Sequence, residues 1–426
     1  MQAHTSNKDI SISARRLAEI IHRDGGLATP TYAGIDSLEG IKIHQKFTQY
    51  LKKQNYIFNC SELSLHSKYT SEKLNLKISG RLDNLSFSQD SIKLYEIKSF
   101  RGHSMFLPDK GDPLHWAQLK IYAYLLKKSD PQLIAKKLKT NDNRLFKKMM
   151  DSLKKDSIKL NLVYIAIDHH EIIIKEEIFS WQEINEFMQD TCEQYLIRMH
   201  NIISWQNLRN QAARESKFPF EHLRDGQAEM MRQTLATMRD KGVLLAQAPT
   251  GIGKTMAVLY PSLKALSTNY VQRIFYATAM IATRDIARQS LEILRENGFL
   301  IRSILLQAKE KICTQPDLFC DQSLCPFAVD YYQRLPDGIQ ALLPLQNISP
   351  EIIREVALKY QLCPHELSLD FSYFCDLIIG DYNHIFDPQA KLSGFFENPD
   401  EQTAILVDEA HNLPSRATTM YSAGIS

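Results

Sequence analysis

The chain has 426 residues and a mass of 49.0 kDa, enough for about two or three domains, and 44% hydrophobic content lets each of them bury a core. Lys+Arg 51 against Asp+Glu 49 leaves a net charge of only +2, so overall charge gives no case for a nucleic-acid partner and any basic surface must be local. No apolar run reaches the roughly 18 residues of a membrane span, and the opening MQAHTSNKDI lacks the basic-then-apolar order of a secretory leader, which points to the cytoplasm and to no membrane partner. Five of the seven cysteines fall between Cys313 and Cys375; in a reducing compartment that cluster predicts a metal site rather than disulfides.

In chain order, apolar residues at helical spacing from Ala14 to about Gln54 (Leu17, Ile20, Ile21, then Ile41, Ile43, Phe47, Tyr50, Leu51) predict helices around a Gly- and Pro-containing loop at 25–34. From Leu74 the pattern turns to alternation (Leu74, Leu76, Ile78, then Ile92, Leu94, Glu96), which predicts strands separated by turn residues at Asn84 and 86–91. A helix through His115 to Leu126 follows. Residues 127–159 hold eleven Lys/Arg and four Asp, a net of +7, either a solvated helical face or a DNA track. NLVYIAID and EIIIKEEIF resume strand character, and an amphipathic helix from about Trp181 to Leu208 closes the first unit. The polar stretch QAARESKFPF at 211–220 predicts a domain boundary, giving domains 1–210 and 211–426. Beyond it GVLLAQA, RIFYAT, SILLQA, DLIIGDY and AILVDE alternate with helical segments, the pattern of a parallel α/β sheet.

APTGIGKT (Ala248, Pro249, Thr250, Gly251, Ile252, Gly253, Lys254, Thr255) lies after the apolar Val243–Leu245 and before a helical run. That is the context a phosphate-binding loop needs: glycines turn backbone N–H groups toward phosphates, the lysine reaches the β/γ-phosphates, and the threonine ligates Mg²⁺. In LVDEAH an apolar strand delivers Asp408 to that metal and Glu409 to the attacking water, although two adjacent acids at a strand end are equally a solvated pair. Upstream, in FPFEHLRDGQ, Arg224 and Gln227 are placed to read the adenine edge, and His411 to couple hydrolysis to movement.

Cys313, Cys320, Cys325 and Cys363 have six, four and thirty-seven residues between them. Four thiolates suit an iron–sulfur cluster or a structural zinc, and the spacing does not choose between the two. Cys375, beside the strand DLIIG, reads as a core thiol, and Tyr331, Tyr332 and Arg334 as candidate stacking and phosphate contacts, although such an aromatic pair is at least as often simple packing.

In the first unit, Gly80-Arg81-Leu82-Asp83 precedes SIKLYEIKSF, so Asp83 ends one strand while Glu96 and Lys98, two apart, share a face of the next. Two carboxylates beside a lysine are what phosphodiester hydrolysis needs, with Mg²⁺ or Mn²⁺ on the acids and the lysine at the water; a cross-strand salt bridge uses the same three residues. Gln118 and Tyr122, four apart, share a helix face, and His44 lies ahead of the first strand.

Two resemblances follow. The Gln227 segment, APTGIGKT, FYATAMIATRD, AKEKIC, CPHELSLD, DYNHIFDP and DEAHNL occur in the order found in XPD/DinG-like superfamily 2 DNA helicases, over about 215–426. The resemblance implies a RecA-like parallel-sheet lobe, ATP and Mg²⁺, 5′-to-3′ polarity, DNA repair, and a [4Fe-4S] domain inserted at about 308–368 on the four cysteines. The helical histidine, G-x-x-D, E-x-K and Q-x-x-x-Y over about 14–200 resemble the RecB-like PD-(D/E)XK nucleases, an α/β restriction-endonuclease-like fold. That resemblance implies His44, Asp83 and Glu96 as Mg²⁺ or Mn²⁺ ligands, Lys98 as the catalytic lysine, Gln118 and Tyr122 as supports, and DNA with single-stranded ends as substrate. With Cys60 and Cys192 alone available, no cluster is expected in the nuclease part. Only 15 residues follow His411, so the second motor lobe is expected from a partner chain or a longer product. Two classes stay open: a nuclease joined to a helicase lobe, or a DNA-binding, regulatory half-motor.

Overall fold

The alternation of apolar residues builds two sheets in two separate units, 1–200 and 201–426, each described by itself. The computed structural model describes the chain apart from residues 1–7, 28–36, 54–57, 72–73, 89–90, 103–106, 131, 133, 135–142, 170, 250, 316, 318–319, 321–323, 389–391, 393–394, 397–401 and 423–426.

The first unit runs β1 (Lys8–Ser13), α1 (Ala14–Ile21), α2 (Ser37–Lys52), β2 (Phe58–Thr70), β3 (Leu74–Ser88), β4 (Ser91–Phe100), α3 (Pro113–Lys128), α4 (Asn143–Ser152), β5 (Ser157–Ala166), β6 (Ile172–Ser180) and α5 (Trp181–Glu215). Its sheet has the order β1-β3-β4-β5-β6, with β2 also on β3. Leu76, Ile78, Leu82, Leu85 and Phe87 of β3 are buried. Ile43, Phe47 and Leu51 of α2 pack on the face that carries Tyr95, Ile97, Val163 and Ile165. By the strand period, Glu96 and Lys98 therefore point to the opposite face, toward α3.

β1 and β2 lie where the sequence pattern predicts no strand, and the turn expected at Asn84 is not formed. The strand instead continues, because Asn84 pairs with Ser61 on one side and Tyr95 on the other, and the ladder overrides the residue's turn preference. Of the +7 segment, 143–152 is helix, while 131, 133 and 135–142 lie outside the described residues.

The boundary expected at 211–220 falls instead between His200 and Asn201, inside α5. The second unit continues with α6 (Gln227–Asp240), α7 (Lys254–Ser267), β7 (Arg273–Ala277), α8 (Ile281–Glu296), β8 (Ser303–Leu305), α9 (Tyr331–Leu342), β9 (Asn347–Ile348), α10 (Pro350–Tyr360), α11 (Pro364–Ser372), β10 (Leu377–Gly380) and β11 (Thr403–Val407). Its strands are all parallel, in the order β11-β7-β10-β8-β9. Met256, Leu259, Leu263 and Leu266 of α7 pack on Ile274, Tyr276, Leu377 and Ile379. The expected strand GVLLAQA is not one: residues 242–249 form no ladder, and Val243 and Leu245 are 91% and 89% exposed. β11 stands at the edge of the sheet.

The last turns of α5 are fixed to this sheet by a buried ion pair. Asp376 accepts from the Arg209 guanidinium at 2.6 Å, from the Trp205 indole at 2.9 Å and from the Arg302 backbone N–H at 2.9 Å. Removing one partner of a buried pair strands the other charge at a cost of about 3–5 kcal/mol. Asp376→Ala should therefore lower the unfolding free energy of the second unit, read from urea titration, by an amount of that order; a loss below about 1 kcal/mol, the size of an exposed pair, would contradict the anchor.

Candidate functional site

In the first unit β3 changes partners. Its residues Leu74–Ser79 pair with β1 and Asn84–Ser88 with β4, so a fork opens at 80–83. Asp83 sits in the fork, where its Oδ2 accepts the Ile97 backbone N–H at 2.7 Å in place of a ladder bond. Gly80 is required at the same place: a Cβ there would meet the Tyr122 ring at 2.5 Å and Ala14 at 2.9 Å. The G-x-x-D spacing thus has two physical causes, a ring lying on the glycine and a carboxylate closing the fork.

The predicted residues come together around Asp83. Glu96, 2% exposed, pairs through Oε1 with Lys98 Nζ at 2.8 Å. Lys98 Nζ also donates to Gln118 Oε1 at 3.3 Å, and Gln118 Nε2 donates to the Tyr122 hydroxyl at 3.2 Å. The helix that carries them starts at Pro113, capped by Asp112, whose side chain accepts the Leu114 N–H. His44 Nδ1 lies 3.7 Å from Asp83 Oδ1.

Burial sets the protonation of these groups. It raises Asp83 and Glu96 above the usual carboxylate range, with Lys98 opposing, and lowers His44, which keeps a free imidazole lone pair near neutral pH. Such a set suits a divalent cation, since the ion's charge favours the ionised acids that burial disfavours. Sequence reasoning missed Glu62. One ligand atom each of His44, Glu62 and Asp83 lie within 4.8 Å of one another. Nothing in the alternation of β2 marks Glu62; only the ladder places it opposite Asp83.

In the second unit, Gly251 and Gly253 take left-handed φ of 87° and 77°, which a side chain would resist, and Lys254 opens α7 with its Nζ on the Ala248 carbonyl at 3.1 Å. The Arg224 guanidinium donates to the Gly251 carbonyl. Gln227 accepts from the Arg224 N–H at 3.2 Å and lies on Gly253, where a Cβ would meet its Nε2 at 2.9 Å. Ile252 rests against Gly226, Pro249 is exposed, and Thr250 lies outside the described residues. Across the sheet end, the Tyr276 hydroxyl donates to Asp408 Oδ2 at 2.8 Å and is hydrogen-bonded to Thr255, so it joins the two expected Mg²⁺ ligands. Tyr276 was not singled out from the sequence, where it is one apolar-strand residue among several. Glu409 has a left-handed φ of 51°, and its Oε2 lies 3.3 Å from His411 Nδ1.

Of the four clustered cysteines, Cys320 shares a hydrogen bond with Lys309, which also feels Cys363, and Cys363 feels Cys313. Burial pushes the Cys363 thiol up to about 11. Among the described residues no three thiols come within 4.8 Å of one another. Cys375 is fully buried and its thiol donates to the Phe371 carbonyl. Tyr331 is also core, hydrogen-bonded to Asp370 at 2.9 Å, so it offers no face for a base; Arg334 is taken up by the Pro326 carbonyl and Gln361. The correction at Tyr331 has one cause: the start of α9 packs inward there.

Sequence comparison bears on the second unit. Residues 224–349 match the DEAD/DEAH box helicase family and residues 301–426 match DEAD_2. The second unit is therefore similar in sequence to these helicase families. Relatives include a regulator of telomere elongation helicase 1 homolog of Anopheles gambiae, 26% identical over 220 residues, covering 47% of this chain and 21% of the relative. The general transcription and DNA repair factor IIH helicase subunit XPD of Arabidopsis thaliana is 23% identical, covering 46% and 30%. The chain thus spans a third or less of these relatives. The solved structure titled XPD_Helicase is 19% identical and covers 46% of this chain and 34% of its own, at a TM-score of 0.32, too low to bear on the fold. Among the described residues no helix is long and apolar enough to cross a membrane.

The raised carboxylates make a pH prediction. A carboxyl whose folded value is raised contributes stability below its unfolded value, about 4, and loses it as pH rises through the folded one. Asp83→Asn keeps an acceptor for the Ile97 N–H and removes that loss. In chelator, its melting temperature should gain on the wild type between pH 5 and pH 8; an equal gap at both would contradict the raised value.

Proposed function

We propose that this chain joins a metal-dependent DNA nuclease, 1–200, to the first ATP-binding lobe of an XPD-like 5′-to-3′ DNA helicase, serving DNA repair. The observation that carries the nuclease half is the hydrogen-bonded series Glu96–Lys98–Gln118–Tyr122 beside Asp83 and His44. His44, Asp83 and Glu96 would hold Mg²⁺ or Mn²⁺, which supplies charge for the developing phosphorane and a more acidic water. Gln118, fixed by Tyr122, keeps the Lys98 ammonium at the mouth of the fork, where it orients the attacking water and stabilises negative charge on the phosphate. Single-stranded DNA is the proposed substrate.

In the motor half the 248–255 loop would cradle the ATP phosphates, with Thr255 and Asp408 on Mg²⁺, Glu409 at the water and Arg224 and Gln227 beside the nucleotide. Cys313, Cys320, Cys325 and Cys363 would hold a [4Fe-4S] cluster in an insertion at about 308–368. Support for iron–sulfur over zinc comes from the order of the sequence motifs on either side of the four cysteines, since their spacing alone does not choose.

A second reading has a specific observation in its favour. The apolar run ahead of the phosphate loop is unpaired and exposed at Val243 and Leu245, as in a half-motor that holds DNA or a partner chain carrying the second lobe. Lys98→Ala should abolish Mn²⁺-dependent cutting of single-stranded DNA; unchanged cutting would refute the site. DNA-stimulated ATP turnover by the chain alone should be negligible; robust turnover lost in Lys254→Ala would show the lobe is completed, by a dimer for instance.

A further inference from the structure

Glu62 is anomalous in its strand. Its neighbours Ser61 and Leu63 pair with Asn84 and Leu82, so Glu62 stands opposite Asp83, yet it takes a left-handed φ of 58° and drops out of the ladder. β-Strand residues other than glycine rarely do this, and the departure brings its carboxylate to the fork with His44 and Asp83, ligand atoms within 4.8 Å of one another. Its present partner is Arg81 two residues before Asp83, Nε to Oε2 at 2.6 Å, with the arginine side chain 70% exposed.

A cluster of this kind points to a ligand because of a second feature beside it. Glu96 Oε2 is buried and accepts no hydrogen bond, although Oε1 is paired with Lys98. Glu96 lies in the electrostatic field of both His44 and Asp83, the two residues that share the fork with Glu62. An orphaned buried carboxylate oxygen is costly unless something cationic comes to it, and Lys98 and Arg81 are each turned to one carboxylate.

We propose that Glu62 is an additional ligand of the cation at the fork, and that Arg81 is its latch, holding Glu62 until a divalent cation displaces the guanidinium. Hard cations collect carboxylate oxygens, so the ion gains Glu62 as it neutralises Asp83 and Glu96. The released Arg81 guanidinium, at the exposed rim, is then free for a DNA phosphate, which a planar fork of donors suits. Cation loading and DNA capture become one event. The inference rests on the nuclease reading for the use of the site, and on the geometry alone for its ligands.

The test uses the full chain, stripped of metal, titrated with Mn²⁺ alone and followed by the electron paramagnetic resonance of the free ion, with Asp83→Asn marking which sites belong to the fork. Glu62→Gln should weaken the fork site by about 10-fold or more, and Arg81→Ala should tighten it by about two- to fivefold. Glu62→Gln binding like wild type while Asp83→Asn loses the site overturns the ligand assignment, and Arg81→Ala binding no tighter overturns the latch. Equal binding by wild type and Asp83→Asn overturns both. Mn²⁺ binding as predicted with no DNA cut would support this inference and sink the nuclease reading, so the two fail separately.

Discussion

The first unit depends on the parting of β3 from β4. A strand that pairs with β1 over its first half and with β4 over its second must leave backbone groups unpaired between, and buried N–H groups are not left so. Asp83 answers that demand by accepting the Ile97 N–H, and the carboxylate is thereby held under the sheet's cover. Everything chemical at the fork follows from that placement. The buried acid is pushed toward its neutral form, Glu96 beside it likewise, and only a cation, with Lys98 at the mouth, makes two ionised carboxylates tolerable there.

The second unit solves a different problem. Its loop glycines, Lys254 and Thr255 are set at the start of a helix whose apolar face is fully in the core, and Tyr276 ties Thr255 to Asp408 across the sheet end. These parts are preorganised, whereas the run before the loop is not paired to anything. A parallel sheet is ordinarily buried on both faces, and an exposed apolar segment with no ladder partner is a place where another strand fits. The loop glycines, Lys254, Thr255 and Tyr276 all fall within the DEAD/DEAH box match over 224–349.

Much of both sites was legible because short motifs carry their own mechanics. Gly80, Asp83, Glu96, Lys98, Gln118 and Tyr122 were readable as short motifs, and the structure links Glu96, Lys98, Gln118 and Tyr122 by hydrogen bonds beside Asp83, with Gly80 against the Tyr122 ring. What spacing could not give was anything set by the ladder. Glu62 enters the fork only because β2 pairs with β3 in one register, and Asn84 is a strand residue only because it has partners on both sides. Tyr331 read as a nucleic-acid contact because an aromatic pair beside a cysteine cluster is ambiguous; burial and Asp370 decide it. GVLLAQA read as a strand because its composition is that of one, but strand composition does not supply a neighbour to pair with.

The central claim is that the fork holds a divalent cation and presents it to a DNA phosphate. The most direct measurement is anomalous diffraction from crystals of the chain grown with Mn²⁺ and a short single-stranded oligonucleotide, using Lys98→Ala to prevent cutting. The account predicts a Mn²⁺ peak bonded to Asp83 and His44, with a phosphate on its open side where the Lys98 ammonium stood. Absence of a peak at the fork, with the oligonucleotide bound elsewhere, would contradict it.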